Sequence, residues 1–196
     1  MLDLNKGVVL DLNKTKEGLK RIDVGLNWGQ ISRGGFMGFF GSKESVDLDA
    51  SAIMYDDKGN HIETIYYGNK RSDGVKHSGD DRSGDAFADD KDNETITFEL
   101  DKLNPKVAKI ALVLVSFSGQ EFSILPYAGL RIYDTTKNKE ILGSANVSAD
   151  EQYRNKCSMI FGILSKESGT WEYKSVNEGT EFKSLERLVS ASKQYL

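Results

Sequence analysis

The stretch VDLDASAIMYDDKGNHIETIYYG, residues 46–68, alternates in character along its first half, breaks at Asp56-Asp57-Lys58-Gly59-Asn60 and resumes at His61. Period-two alternation marks a β-strand, because successive side chains of a strand point to opposite faces. Val46, Leu48, Ala50, Ala52 and Met54 fall on one face, and Asp47, Asp49, Ser51, Ile53 and Tyr55 on the other. The break carries the Asp, Gly and Asn of a tight connection, so the stretch reads as a β-hairpin. The same register makes the carboxylates of Asp47 and Asp49 look the same way.

The rest of the chain repeats this pattern of short strand-like runs between turn residues. Residues 8–12, 19–28, 94–100, 109–117, 121–125, 128–134 and 140–147 read as strands, and 157–166 with 170–176 as a second hairpin around Glu167-Ser168-Gly169. The run KIALVLVSF at 109–117 is apolar on both faces, which predicts a central, buried strand. Helical spacing is confined to SLERLVSASKQYL, where Leu185, Leu188 and Val189 share one side. The expected fold is therefore all-β, a two-sheet β-sandwich with a short C-terminal helix, in a single domain over residues 1–196. LDLNK occurs at 2–6 and again at 10–14, but the echo stops there, so it reads as a strand-turn unit and not as a solenoid repeat.

Composition narrows the function. The 196 residues are 38% hydrophobic and 29% charged, with a net charge of −4 that suits neither a nucleic acid nor an anionic membrane. The N-terminus has acids where a signal peptide needs bases. The longest apolar run, Ile110–Val115, is far short of the roughly 20 residues of a membrane-spanning helix. Cys157 is the single cysteine and sits in the apolar run CSMIFGIL, as a buried, inert thiol would. A cytoplasmic protein is expected.

The chemistry concentrates in SGDDRSGDAFADDKDNETI, residues 78–96, which holds Asp80, Asp81, Asp85, Asp89, Asp90, Asp92 and Glu94. Two carboxylates about 4 Å apart repel by about 1 kcal/mol in water and about 4 kcal/mol at a protein surface. A fold that gathers Asp80, Asp81, Asp90 and Asp92 near Asp47 and Asp49 is disfavoured unless a cation sits among them. Calcium suits such a set, since it takes six to eight oxygens at about 2.3–2.6 Å in irregular cages, whereas magnesium demands an octahedron. Ser78, Ser83 and Asn93 add hard oxygen donors, and two histidines and one cysteine leave little for zinc or copper. Gly79 and Gly84 allow the sharp turns that aim donors inward. The spacing is not that of an EF-hand. The competing reading is a solvated acidic loop that binds nothing.

Residues 29–45 are glycine-rich and carry Phe36, Met37, Phe39 and Phe40. They read either as a flap that touches a partner or a membrane, or as side chains folded back onto the sandwich. His61, in a turn, and His77, before the acidic loop, read as surface or framework residues. No Ser-His-Asp elbow, phosphate-binding loop or dinucleotide fingerprint occurs. Paired acids could serve glycoside hydrolysis, but here they are too many and too close in sequence.

Taken in order, GLNWG at 25–29, VDLDAS at 46–51, YYGNKRSDGVKHSGDDRSGD at 66–85, DDKDNETI at 89–96 and VSFSGQEF at 115–122 resemble the TerD family of tellurium-resistance and general-stress proteins. The resemblance runs over nearly the whole chain. It implies a two-sheet sandwich that binds calcium, commonly two ions, in an acidic loop facing a D-x-D strand. By position it carries the metal-ligand role to Asp47, Asp49, Asp80, Asp81, Gly84, Asp85, Asp90, Asp92, Asn93 and Glu94, with Gly79 and Ser83 inside the motifs. Glu94 either binds or only caps the loop. Two departures stand out: Ala86-Phe87-Ala88 looks inserted, which bears on the number of ions, and Lys91 stands where glycine is common. The implied role is that of a non-catalytic calcium-binding stress protein acting with other tellurium-resistance or stress proteins, some membrane-associated. The alternative is a calcium-ordered interaction module that binds partners through Phe36, Phe39 and Phe40.

Overall fold

A computed structural model of the chain describes residues 1–12, 19–33, 42–89, 91–135, 139–147, 150–167 and 169–196. Strands β1 (Leu2–Asp3), β2 (Val9–Asp11) and β3 (Arg21–Trp28) come first, and β4 (Ile31–Arg33) and β5 (Ser42–Glu44) form a separate ribbon. β6 (Leu48–Tyr55) and β7 (His61–Ile65) are the predicted hairpin. β8 (Arg71–Ser72) and β9 (Val75–His77) precede the acidic loop and β10 (Glu94–Glu99) follows it. Then come β11 (Lys109–Ser116), β12 (Ala128–Asp134), β13 (Glu140–Asn146), β14 (Ser158–Glu167), β15 (Thr170–Thr180) and helix α1 (Leu185–Ser192).

Two large sheets result, with strand orders β1-β13-β12-β3-β10-β9-β8 and β2-β15-β14-β11-β6-β7. The fold is all-β with one short C-terminal helix, as the sequence predicts. The inner core forms where Val24, Leu26, Phe98, Leu130 and Ile132 of the first sheet meet Leu48, Ala50, Ala52, Met54, Leu112 and Phe161 of the second. β11 is central, hydrogen-bonded to β6 on one side and β14 on the other, which explains its two apolar faces.

The second sheet is buried on its outer face too. Ile53 and Tyr55 from β6 join Ala111, Val113, Val115, Ile160, Ile163 and Val176 beneath Leu188 of α1. The helix begins where the Ser184 side chain accepts the Arg187 N–H. It is pinned at its other end by the Tyr55 hydroxyl, 2.6 Å from Ser192 Oγ and 2.9 Å from the Val189 carbonyl. Thus β6 presents one row to the sandwich core and the other, from Asp49 to Tyr55, to the helix-covered side.

Several local expectations change. Residues 121–125 form a 3-10 turn, Phe122–Ile124, and not a strand. Phe122 and Leu125, three apart, are its buried pair, which is turn spacing and not strand spacing. His61 lies in β7 rather than in a turn, its ring edge-on to Tyr55. The two LDLNK copies part company: β1 joins the first sheet beside β13, and β2 joins the second beside β15. Cys157 is buried and free. Phe36, Met37, Phe39, Phe40 and Asp90 lie outside the described residues. No helix among the described residues is long and apolar enough to cross a membrane.

Candidate metal centre

The acidic loop leaves β9 and returns as β10 in the first sheet, and its position follows from how its backbone is tied. At its neck the Ser78 N–H donates to the Thr95 carbonyl and the Thr95 N–H donates to Ser78 Oγ, both at 2.9 Å. Further along, the Asp85 N–H donates to the Trp28 carbonyl, the Gln30 N–H donates to the Asp85 carbonyl, and the Val46 N–H donates to the Ser83 carbonyl. Trp28, fully buried, donates its indole N–H to the Val46 carbonyl at 2.8 Å. These ties lay a loop of the first sheet across the start of β6 in the second.

Gly79 and Gly84 have φ of +134° and +70°, which a side chain would strain, and a Cβ on Gly84 would come within 2.8 Å of Trp28 Cδ1. Both glycines thus make the sharp turns that the sequence suggests.

A second clasp sits at Ala50. β7 last pairs with β6 at Ala52, so the N–H and carbonyl of Ala50 have no strand neighbour on that side. Buried backbone groups need partners. Glu94 Oε2 accepts the Ala50 N–H at 2.8 Å, and His77 Nε2 donates to the Ala50 carbonyl at 3.1 Å. His77 Nδ1 accepts the Gly79 N–H at 3.1 Å, which assigns the ring proton to Nε2. Glu94 Oε1 accepts the Asp81 N–H at 3.1 Å. Glu94, 1% exposed, thus joins β10, β6 and the loop, and His77 is a framework residue.

Between these ties, carboxylate oxygens of Asp47, Asp49 and Asp80 lie within 4.8 Å of one another. This is the one group of three or more potential metal-ligating side chains that converge so closely among the described residues. At that separation each full pair repels by about 3–4 kcal/mol at a surface-like dielectric. Asp49 is 7% exposed, and no described residue donates a hydrogen bond to its carboxylate. Burial, then the charges of Glu94, Asp47 and Asp80, pushes its pKa up from 3.8 to about 7. Asp47 is raised as well, by burial and then by Asp80, and Arg82 offsets this only weakly from 4.0 Å. A divalent cation would reverse the sign of these interactions.

The other predicted ligands are placed differently. Asp81 Oδ1 accepts the Ser83 and Gly84 N–H groups and the Ser83 hydroxyl, and Oδ2 accepts Asn93 Nδ2. Burial opposes its charge, but these bonds outweigh it and hold the carboxyl below its ordinary range. Asn93 Oδ1 accepts the Trp28 N–H at 2.7 Å. The Gly84 carbonyl accepts Gln30 Nε2 at 3.2 Å. Asp92 is held by Arg131, with Nη2 at 2.7 Å and Nε at 2.8 Å from its Oδ1. Asp85 forms a second acidic neighbourhood: its pKa is raised by burial, then by Asp89 and Asp81. Burial and the same Asp85 and Asp89 charges push the Tyr127 phenol up to about 12. Phe87 of the apolar insertion is 81% exposed and lies 5.3 Å beneath Lys43 Nζ, so the insertion projects outward while Asp85 stays stitched to Trp28 and Gln30. Arg131 and the Ala50 clasp could not be anticipated from spacing, since both depend on which strands become neighbours.

The model of the TerD domain family matches residues 1–191. The chain belongs to the TerD family. Stress response protein SCP2 of Bacillus subtilis (strain 168) is 33% identical to it, covering 96% of this chain and 98% of its own. Tellurium resistance protein TerZ of Serratia marcescens is 29% identical, covering 97% and 96%. Among solved structures, a homologue of telluride resistance protein (TerD) from Streptomyces coelicolor A3(2) superposes with a TM-score of 0.65 at 20% identity, over 86% of this chain and 94% of that one. TerD relatives thus carry the names of tellurium-resistance and stress proteins, and the TerD fold is shared with this chain.

Proposed function

We propose that the chain is a non-catalytic calcium-binding stress-response protein of the tellurium-resistance type. The observation that carries the reading is the convergence of Asp47, Asp49 and Asp80, with Asp49 buried and without a hydrogen bond among the described residues. Three carboxylates with no thiolate or imidazole among them suit a hard cation, and an irregular, partly open set suits calcium over magnesium. A second ion is assigned to the neighbourhood of Asp85 and Asp89, where burial first and then the Asp89 and Asp81 charges raise the Asp85 carboxyl. In this reading Glu94, Asp81, Asn93 and Gly84 shape the loop, and Asp92 braces it through Arg131. Other tellurium-resistance or stress proteins, some of them membrane-associated, are its proposed partners, in the cytoplasm, where a lone reduced cysteine is stable. Isothermal titration tests the metal site. Calcium binds the wild type, and Asp47→Asn and Asp80→Asn each weaken it at least about tenfold, the effect of removing one charged ligand. Unchanged isotherms in both variants would refute the assignment.

A further inference from the structure

The outer face of β6 continues past the acidic cluster. One step along, Ser51 is 1% exposed and its Oγ has no hydrogen-bond partner among the described residues. Ser51 and Asp49 line a cavity of about 230 Å³ that reaches the start of the helix segment at Lys183 and Leu185. Tyr67 and Phe117, 36% and 63% exposed, contribute aromatic surface to it. Lys183 forms no ion pair among the described residues. Its Nζ lies against the turn at Gly119, 3.1 Å from where a Cβ would stand.

We propose that this cavity binds a small organic carboxylate, its anionic end shared between Lys183 and the cation at Asp47, Asp49 and Asp80, and its apolar body against Tyr67 and Phe117. The proposal rests on the calcium reading. Calcium takes six to eight oxygens. Asp47, Asp49 and Asp80 leave part of that shell to be filled, and Asp81, Asp92 and Glu94 are engaged elsewhere. Beyond Asp49, the polar groups Ser51, Tyr66, Tyr67 and Lys183 all offer donors, and a carboxylate is acceptor-only. At about 230 Å³ the cavity suits a molecule of the size of benzoate. Without the cation Asp49 repels the anion, so binding requires calcium.

The test is calorimetric titration of the full chain with benzoate, isovalerate and the neutral isostere benzamide, in millimolar calcium and in chelator, after a calcium titration of the same preparation. The carboxylates bind in calcium, and binding weakens at least about tenfold in chelator, with benzamide, or in Lys183→Met, as loss of a charge-assisted contact implies. Phe117→Ala weakens both carboxylates while calcium still binds. A normal calcium isotherm with no carboxylate binding overturns the pocket and leaves the metal site standing. Carboxylate binding that ignores chelator or Lys183→Met also overturns it. A protein that binds no calcium overturns both readings together.

Discussion

Replacing Asp49 by Asn should stabilise the metal-free protein and weaken the calcium-loaded one. The carboxyl of Asp49 is pushed from 3.8 to about 7 by burial first and by Glu94, Asp47 and Asp80 next. A folded carboxyl that holds its proton more tightly than the unfolded one favours the folded state at low pH, and stability falls as pH rises from about 4 to about 7. At about 1.4 kcal/mol per tenfold in acidity, the full rise corresponds to about 4 kcal/mol above pH 7. Local relaxation and water entry soften the burial penalty, the largest of these causes, so about 2 kcal/mol is the expected gain for the Asn variant at pH 8 in chelator. For a domain of this size that is a rise in Tm of about 4–8 °C, shrinking towards zero at pH 4. In calcium at about 1,000 times its Kd the wild type gains about 4 kcal/mol, and the variant, one charged ligand short, gains less. Differential scanning calorimetry at pH 4 and pH 8, with calcium and with chelator, reads all four states. An Asn variant that melts at or below wild type in chelator at pH 8 would show that Asp49 is not repelled there, and the electrostatic case for the site would fail.

Other expectations follow from single contacts. Calcium affinity of the wild type should fall as pH drops from 8 to 5, because the cation competes with the proton raised onto Asp49; a flat pH profile in calorimetry would contradict this. Glu94→Ala orphans the buried N–H of Ala50 and frees that of Asp81, and should cost about 2–4 kcal/mol in urea unfolding while loosening the calcium site; a loss under 1 kcal/mol would mean the clasp is dispensable. Gly84→Ala should cost about 1–3 kcal/mol, from its φ of +70° and the approach to Trp28, and a neutral result would remove the loop's need for that turn. Leu188→Ala, emptying the fully buried contact of α1 with β6, β11 and β14, should cost about 2–5 kcal/mol. An unchanged urea midpoint there would show that the helix contributes nothing to holding the outer face.

The sequence by itself determined the layers. Alternation in 46–56 assigns Leu48, Ala50, Ala52 and Met54 to the core and Asp47, Asp49, Ser51, Ile53 and Tyr55 to the other side, and the structure keeps both rows. A strand's period is local, so it survives in one dimension. Residue types likewise narrow the proposed ion to a hard one, because donor chemistry travels with the side chain. What only the tertiary structure decided is which acids meet. Asp80 joins Asp47 and Asp49, whereas Asp92 goes to Arg131 of β12 and Glu94 to the backbone of Ala50. Those outcomes depend on the β6–β7 pairing ending at Ala52, on Trp28 anchoring the loop to Val46, and on a first-sheet loop crossing onto the second sheet. The helix-covered outer face, which makes the Asp49 side of β6 a buried edge with a cavity beside it, is decided the same way. Charge crowding can be counted along a chain, but its energy depends on distances that only the packed sheets set.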